Sequence, residues 1–164
     1  MGKSVSIYCR HYSMFFLKEL PTRHMLDSYQ KRFPDMQIDM VETALRLLRQ
    51  ASLLLRELDI YFAKHDLSQL RFLVLIVLDR ELESSGLMPS EMAARIDVSR
   101  PVMTRTLQTL SDDGLLDFGE HGEDGRAKLI RLTAKGRLIL HKVLPGYYRV
   151  IEDFMVASET SNAL

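Results

Sequence analysis

Apolar residues recur along most of this chain at intervals of three and four, the spacing of one face of an α-helix. Over positions 39–65, Val41, Leu45, Leu48, Ser52, Leu55, Leu58 and Phe62 form one stripe, and Leu47, Leu54 and Tyr61 form a second with a seven-residue repeat. The pattern predicts one long helix over 39–65, with Asp39 as N-cap and Glu42 at the capping-box position. Two stripes leave two readings open, a single broad buried face or a second face for a partner subunit. Ser68 is the expected cap of a shorter helix over 69–83, whose run from Leu70 to Leu78 is interrupted only by Arg71. A helix so apolar all round should lie at the centre of the fold. Ser84, Ser85 and Gly86 end it, and Leu87 and Met88 suffice for a minimal strand.

The pattern changes over 89–136. A short helix over 90–96 has Met92, Ala93 and Ile96 on one face. Asp97-Val98-Ser99 forms a tight turn, with Val98 holding it to the core. Ser99 caps a second helix over 100–112, with Pro101 in its first turn, where a missing N–H costs nothing. Met103, Leu107 and Leu110 face inward, and Arg100, Pro101, Thr104, Arg105 and Gln108 face outward. No acid occurs from Val98 to Ser111. Two guanidinium forks, a hydroxyl and free backbone N–H groups are the groups that hold phosphates and read guanine edges. Gly114 closes this helix, a strand over 115–118 follows, and a tip with three glycines leads into a partner strand over 126–132. Thr133 caps a further helix. A helix-turn-helix followed by such a hairpin is the winged form of the motif. From Gly125 to Lys142 the chain carries Arg126, Lys128, Arg131, Lys135, Arg137 and Lys142 and no acid. A basic hairpin of this kind can lay Arg126 into a narrow minor groove while the helix occupies the major groove.

The flanks read as scaffold. Residues 1–34 hold six Lys/Arg against Glu19 and Asp27, and six aromatics, with short helices expected over 13–20 and 22–32. They are expected to form a helical arm folding over the domain or over a dimer partner. After Thr133 a helix over 133–144 meets Pro145-Gly146, which breaks or kinks it. The helix resumes over 147–156, and 158–164 are expected to fray.

Composition adds a few bounds. At 164 residues, 46% hydrophobic, the chain suits one mainly α domain with an extension. Its net charge of zero leaves a local basic patch as the signal that matters. One cysteine excludes an internal disulfide, and with no apolar run of spanning length a soluble cytoplasmic protein is expected, without a membrane partner. No phosphate-binding glycine loop or Gly-x-Ser-x-Gly occurs, and the five histidines are scattered. No catalytic residue, metal site or cofactor is therefore expected. Cys9 beside Arg10 carries two readings, an inert thiol near a terminus or one activated by the adjacent charge.

The run VSRPVMTRTLQTLSDDGLL, followed by EDGRAKLIRLTAKG, resembles the MarR family of bacterial transcriptional regulators. The resemblance rests on Ser99, Thr104-Arg105, Gly114-Leu115, Asp124-x-Arg126, Leu132-Thr133 and Gly136, and the helix order extends it to residues 39–156. It implies a mainly α fold with a small β-hairpin wing, forming a homodimer through N- and C-terminal helices. It implies a regulator, usually a repressor, of a pseudo-palindromic operator in double-stranded DNA. Arg126 would enter the minor groove with Asp124 orienting its guanidinium, beside Lys128. A small aromatic or anionic effector between the lobes and the dimer region would release the DNA. The expected parts are an arm over 1–38, a dimerisation helix over 39–66, a DNA-binding lobe over 67–133 and dimerisation helices over 134–164. The chain departs from the family at Asp117, Phe118, Glu120 and Glu123 in the wing, where each acid works against phosphate binding. It departs also in a short tail, for which residues 1–34 are the expected replacement as dimer surface. Two alternatives remain: a winged-helix module that binds a ligand or protein without strong DNA affinity, and a thiol redox regulator using Cys9.

Overall fold

The computed structural model describes residues 17–81, 86–121 and 127–162. In chain order the elements are α1 (Arg23–Arg32), α2 (Ile38–Ala63), α3 (Gln69–Arg80), α4 (Pro89–Ile96), α5 (Arg100–Asp112), β1 (Leu116–His121), β2 (Ala127–Leu132) and α6 (Ala134–Asn162). Contacts divide the chain into two compact units, ending and beginning at Arg56 and Glu57 inside α2.

In the first unit, Thr22 caps α1 by accepting from the Met25 N–H at 3.4 Å. The helix expected over 13–20 is absent from Leu17 to Leu20, and its earlier residues lie outside the described ones. Asp39 is not the N-cap of α2. The helix begins at Ile38, with the Val41 N–H bonded to the Gln37 carbonyl at 3.0 Å, so Asp39 sits in its first turn. The capping box does not form because this earlier start moves Asp39 and Glu42 inside the helix, where the Arg23 guanidinium pairs with Asp39 and, at 3.0 Å, with Glu42. Arg46 holds the other Glu42 oxygen at 2.7 Å. These hydrogen bonds, from Arg46 first and then Arg23, lower the Glu42 pKa. Along α2 the first expected stripe is partly buried. Ser52, Leu58 and Phe62 are covered, whereas Leu48 is 49% exposed, beside Leu47 at 65% in the second stripe.

The second unit is built on α3. Ser68 caps it, accepting from the Arg71 N–H at 3.3 Å, and it ends at Arg80, three residues before the expected end. Phe72, Val74 and Leu75 are fully buried because α3 is touched by α4, α5, α6 and β2. The expected minimal strand is a single bridge. Leu87 and Ile130 exchange backbone bonds of 3.2 and 2.8 Å, attaching the segment before α4 to the outer edge of β2.

Pro145 does not break the C-terminal helix, and 158–162 are not frayed. α6 runs continuously from Ala134 to Asn162. An interior proline forfeits a hydrogen bond and costs about 3 kcal/mol. Packing on both sides offsets this cost. Leu140 and Val143 are buried before the proline. After it, the Tyr147 ring lies 4.7 Å from Phe72 and 5.9 Å from Phe62, centroid to centroid. Tyr61 adds a latch, donating its hydroxyl to the Val143 carbonyl at 2.7 Å. Burial raises the Tyr61 pKa, which favours the protonated phenol this bond requires.

Candidate nucleic-acid interface

The helix-turn-helix is α4, the turn and α5. Pro89 opens α4, and the Glu91 carboxylate accepts from the Met88 N–H at 2.7 Å. Met92 and Ala93 are buried where α5 crosses. Asp97 turns the chain in the left-handed region at φ 53°, a conformation Asp tolerates better than most residues. Val98 is half-buried, consistent with anchoring the turn. Ser99 stands at the N-cap of α5 with its carbonyl accepting from the Met103 N–H at 3.0 Å, but its hydroxyl makes no cap bond. Pro101 lies in the first turn.

Met103, Leu107 and Leu110 are 1%, 2% and 0% exposed and lock one face of α5 into the core. Arg100, Pro101, Thr104, Arg105 and Gln108 are all exposed. Among the described residues no hydrogen bond or ion pair holds the guanidinium of Arg100 or Arg105, so both forks are available. The neighbouring threonines and Gln108 are committed. Thr104, Thr106 and Thr109 each donate their hydroxyl to the carbonyl four residues back, at 2.9 Å. Gln108 donates its amide to Asp112 at 2.8 Å.

The wing pairs β1 and β2 antiparallel, from Leu116 opposite Leu132 to His121 opposite Ala127. Asp117 stands opposite Arg131 and Glu120 opposite Lys128. Asp124 and Arg126 lie outside the described residues, as does Cys9. Thr133 ties the segment between α5 and β1 to the first turn of α6. Its hydroxyl is 2.8 Å from the Gly114 carbonyl and 3.1 Å from that of Leu115, and it accepts from the Gly136 N–H at 3.0 Å.

A charge network that the sequence did not reveal holds the far end of α5. Arg71 of α3 pairs with Asp113 and also donates to the Asp66 carbonyl at 3.1 Å. Lys135 of α6 donates to the Asp113 carbonyl at 2.6 Å. His65, Asp66, Arg71, Asp112, Asp113 and Lys135 line a cleft of about 680 Å3 there. Along the chain Asp113 reads as an ordinary acid ending a helix, because its partners stand 42 and 22 residues away. Arg95 of α4 likewise pairs with Glu81, just after α3. Among the described residues no group of three or more His, Cys, Asp or Glu could hold a metal, and no helix is long and apolar enough to cross a membrane.

Residues 65–127, from the loop before α3 to β2, match the model of the MarR family. The DNA-bound transcriptional regulator MOSR of Mycobacterium tuberculosis is 35% identical, with a TM-score of 0.54 over 67% of this chain and 77% of that one. The chain belongs to the MarR family. The MarR-family fold covers other relatives as well. The transcriptional repressor YetL of Bacillus subtilis is 29% identical over 139 residues, 85% of this chain and 83% of its own. CouR of Rhodococcus jostii, solved with p-coumaroyl-CoA, is 17% identical and shares the fold with a TM-score of 0.61, over 74% of this chain and 87% of that one. This MarR-family chain is a transcriptional regulator and not an enzyme.

Proposed function

We propose that the chain acts as a dimeric repressor that reads a pseudo-palindromic operator, with α5 of each copy in a major groove. The observation that carries this reading is the exposed face of α5, acid-free from Val98 to Ser111, with the Arg100 and Arg105 guanidinium groups unengaged. Two such helices would address half-sites about one helical turn apart. Arg100 and Arg105 supply phosphate and base contacts, Pro101 and Thr104 pack on base edges or backbone, and Ser99 leaves the helix N-terminus open to a phosphate. Gln108, held to Asp112 through one amide N–H, keeps its other N–H and its carbonyl oxygen for the contact. In the wing, Arg126 enters the minor groove, oriented by Asp124, with Lys128 on the following strand. The DNA-bound state of MOSR supports this reading.

The test is selection of bound fragments from randomised duplexes, followed by titration at several salt concentrations. Affinity should fall steeply as salt rises, through counterion release. A binding curve indifferent to salt would instead favour a winged-helix module that has lost DNA recognition.

The dimer is assigned to α2 and α6, with the arm contributing. Exposed apolar residues gather on these elements, among them Met40, Leu47, Leu138 and Val156. Effector control is assigned to the cleft at Arg71, Asp113 and Lys135. A small anion entering it would compete with Asp113 for both cations and loosen the end of α5. The p-coumaroyl-CoA held by CouR supports a ligand-responsive reading. Salicylate and phenolic acids should lower the affinity for a selected duplex, and Arg71→Met should blunt that response; unchanged affinity with every acid would remove the effector role.

A further inference from the structure

Among the described residues, large apolar side chains that stay exposed occur before α1, on α1 and at its C-cap, on α2 and α6, at the N-cap of α4, and at one further place. That place is Val102, 45% exposed in the first turn of α5. It is out of keeping with its surroundings, since the other helix-turn-helix positions that face solvent are polar, charged, small or proline. Val102 stands three residues before Arg105, so the two are neighbours on the helix surface. A β-branched side chain in a helix holds a single rotamer, so its methyls are presented in a fixed position.

The hydrogen bonds of α5 decide what this surface can read. The hydroxyl protons of Thr104, Thr106 and Thr109 are spent on backbone carbonyls, and one Gln108 amide N–H is spent on Asp112. Thr106 bonds to the carbonyl of Val102 itself. From Arg100 to Thr106, the arginines apart, every side-chain O–H proton is already donated, so Pro101, Val102 and the threonine methyls present carbon to a base edge. The groove feature that carbon recognises is the C5-methyl of thymine.

We propose that Val102 is a specificity-determining residue that reads a thymine methyl in the operator half-site, beside a guanine taken by Arg105. This rests on the DNA-binding reading above. A duplex recovered by selection is prepared with deoxyuridine replacing thymine one position at a time, which removes the methyl and leaves every base-pairing hydrogen bond. Wild type should lose about fourfold in affinity at one thymine of each half-site, the worth of one buried methyl. In Val102→Ala that sensitivity should vanish at the same position, while salt dependence and melting temperature stay at wild-type values. Val102→Ile should retain it. Equal deoxyuridine sensitivity in wild type and Val102→Ala at every position overturns the assignment of Val102 but leaves DNA binding standing. Recovery of no duplex at all overturns both.

Discussion

The Tyr61 hydroxyl occupies the space that a side chain at Gly146 would need: a Cβ built there would lie 2.3 Å from Oη and 2.7 Å from two ring carbons. The same hydroxyl donates to the Val143 carbonyl, so the ring cannot swing away without losing that bond. Gly146→Ala should therefore destabilise the protein by about 1–3 kcal/mol, the usual cost of overpacking. Tyr61→Phe should cost about 0.5–1.5 kcal/mol for the lost hydrogen bond. Because the two positions touch, the double variant should be less destabilised than the sum, and urea denaturation of all four proteins reads the difference. Strict additivity would mean that the hydroxyl and the glycine are not coupled.

Gly136→Ala meets a harder obstacle. Its Cβ would stand 2.2 Å from the Leu115 carbonyl oxygen, which is backbone and part of the base of the wing. The first turn of α6 must move away from the wing. A drop in melting temperature larger than that of Gly146→Ala is expected, because no flexible side chain can absorb the contact.

Arg105→Ala and Arg100→Ala should each weaken binding to a selected duplex, and an arginine that contacts phosphate should also lower the salt slope by about 1. If Arg105 reads a guanine, its loss should relax sequence preference at one position of each half-site, at a cost of about 1–3 kcal/mol against the preferred base. Arg126→Ala should weaken binding while leaving the melting temperature unchanged. Operator affinity equal to wild type at the same salt would remove Arg126 from the interface.

The Glu42 carboxylate makes a pH-dependent contribution. Its folded pKa lies below the ordinary 4.5, through hydrogen bonds from Arg46 and then Arg23. The associated stability is therefore present above about pH 4.5 and is lost as pH falls through the lowered value. Glu42→Gln should melt below wild type at neutral pH, and the two curves should converge under acid conditions. Parallel melting curves across that range would show that the ion pairs contribute nothing.

Deleting residues 1–34 tests the arm. Its described part exposes Met25, Tyr29 and Phe33 at 51%, 52% and 57%, an apolar set that suits another surface. Mass measured in solution should shift from dimer toward monomer on dilution. A stable dimer after deletion would exclude the arm as dimer surface.

Local rules were enough to place the helix-turn-helix. Ser68 at the cap of α3, Pro101 in the first turn of α5, the Met103–Leu107–Leu110 face and Thr133 at the head of α6 each follow from neighbours within one or two turns, so the sequence alone determines them. The acid-free face of α5 was legible for the same reason. Tertiary structure decided whatever depends on partners distant in the chain. Asp39, one residue inside α2, pairs with Arg23 instead of capping, and Asp113 became the joint between α3, α5 and α6. Pro145 was carried inside a continuous α6 because the burial of Leu140 and Val143 and the latch from Tyr61 outweigh one forfeited hydrogen bond. Helix propensity is worth tenths of a kcal/mol to about 3 kcal/mol per residue, and side-chain burial is of the same size, so the outcome turned on contacts that span 82 residues.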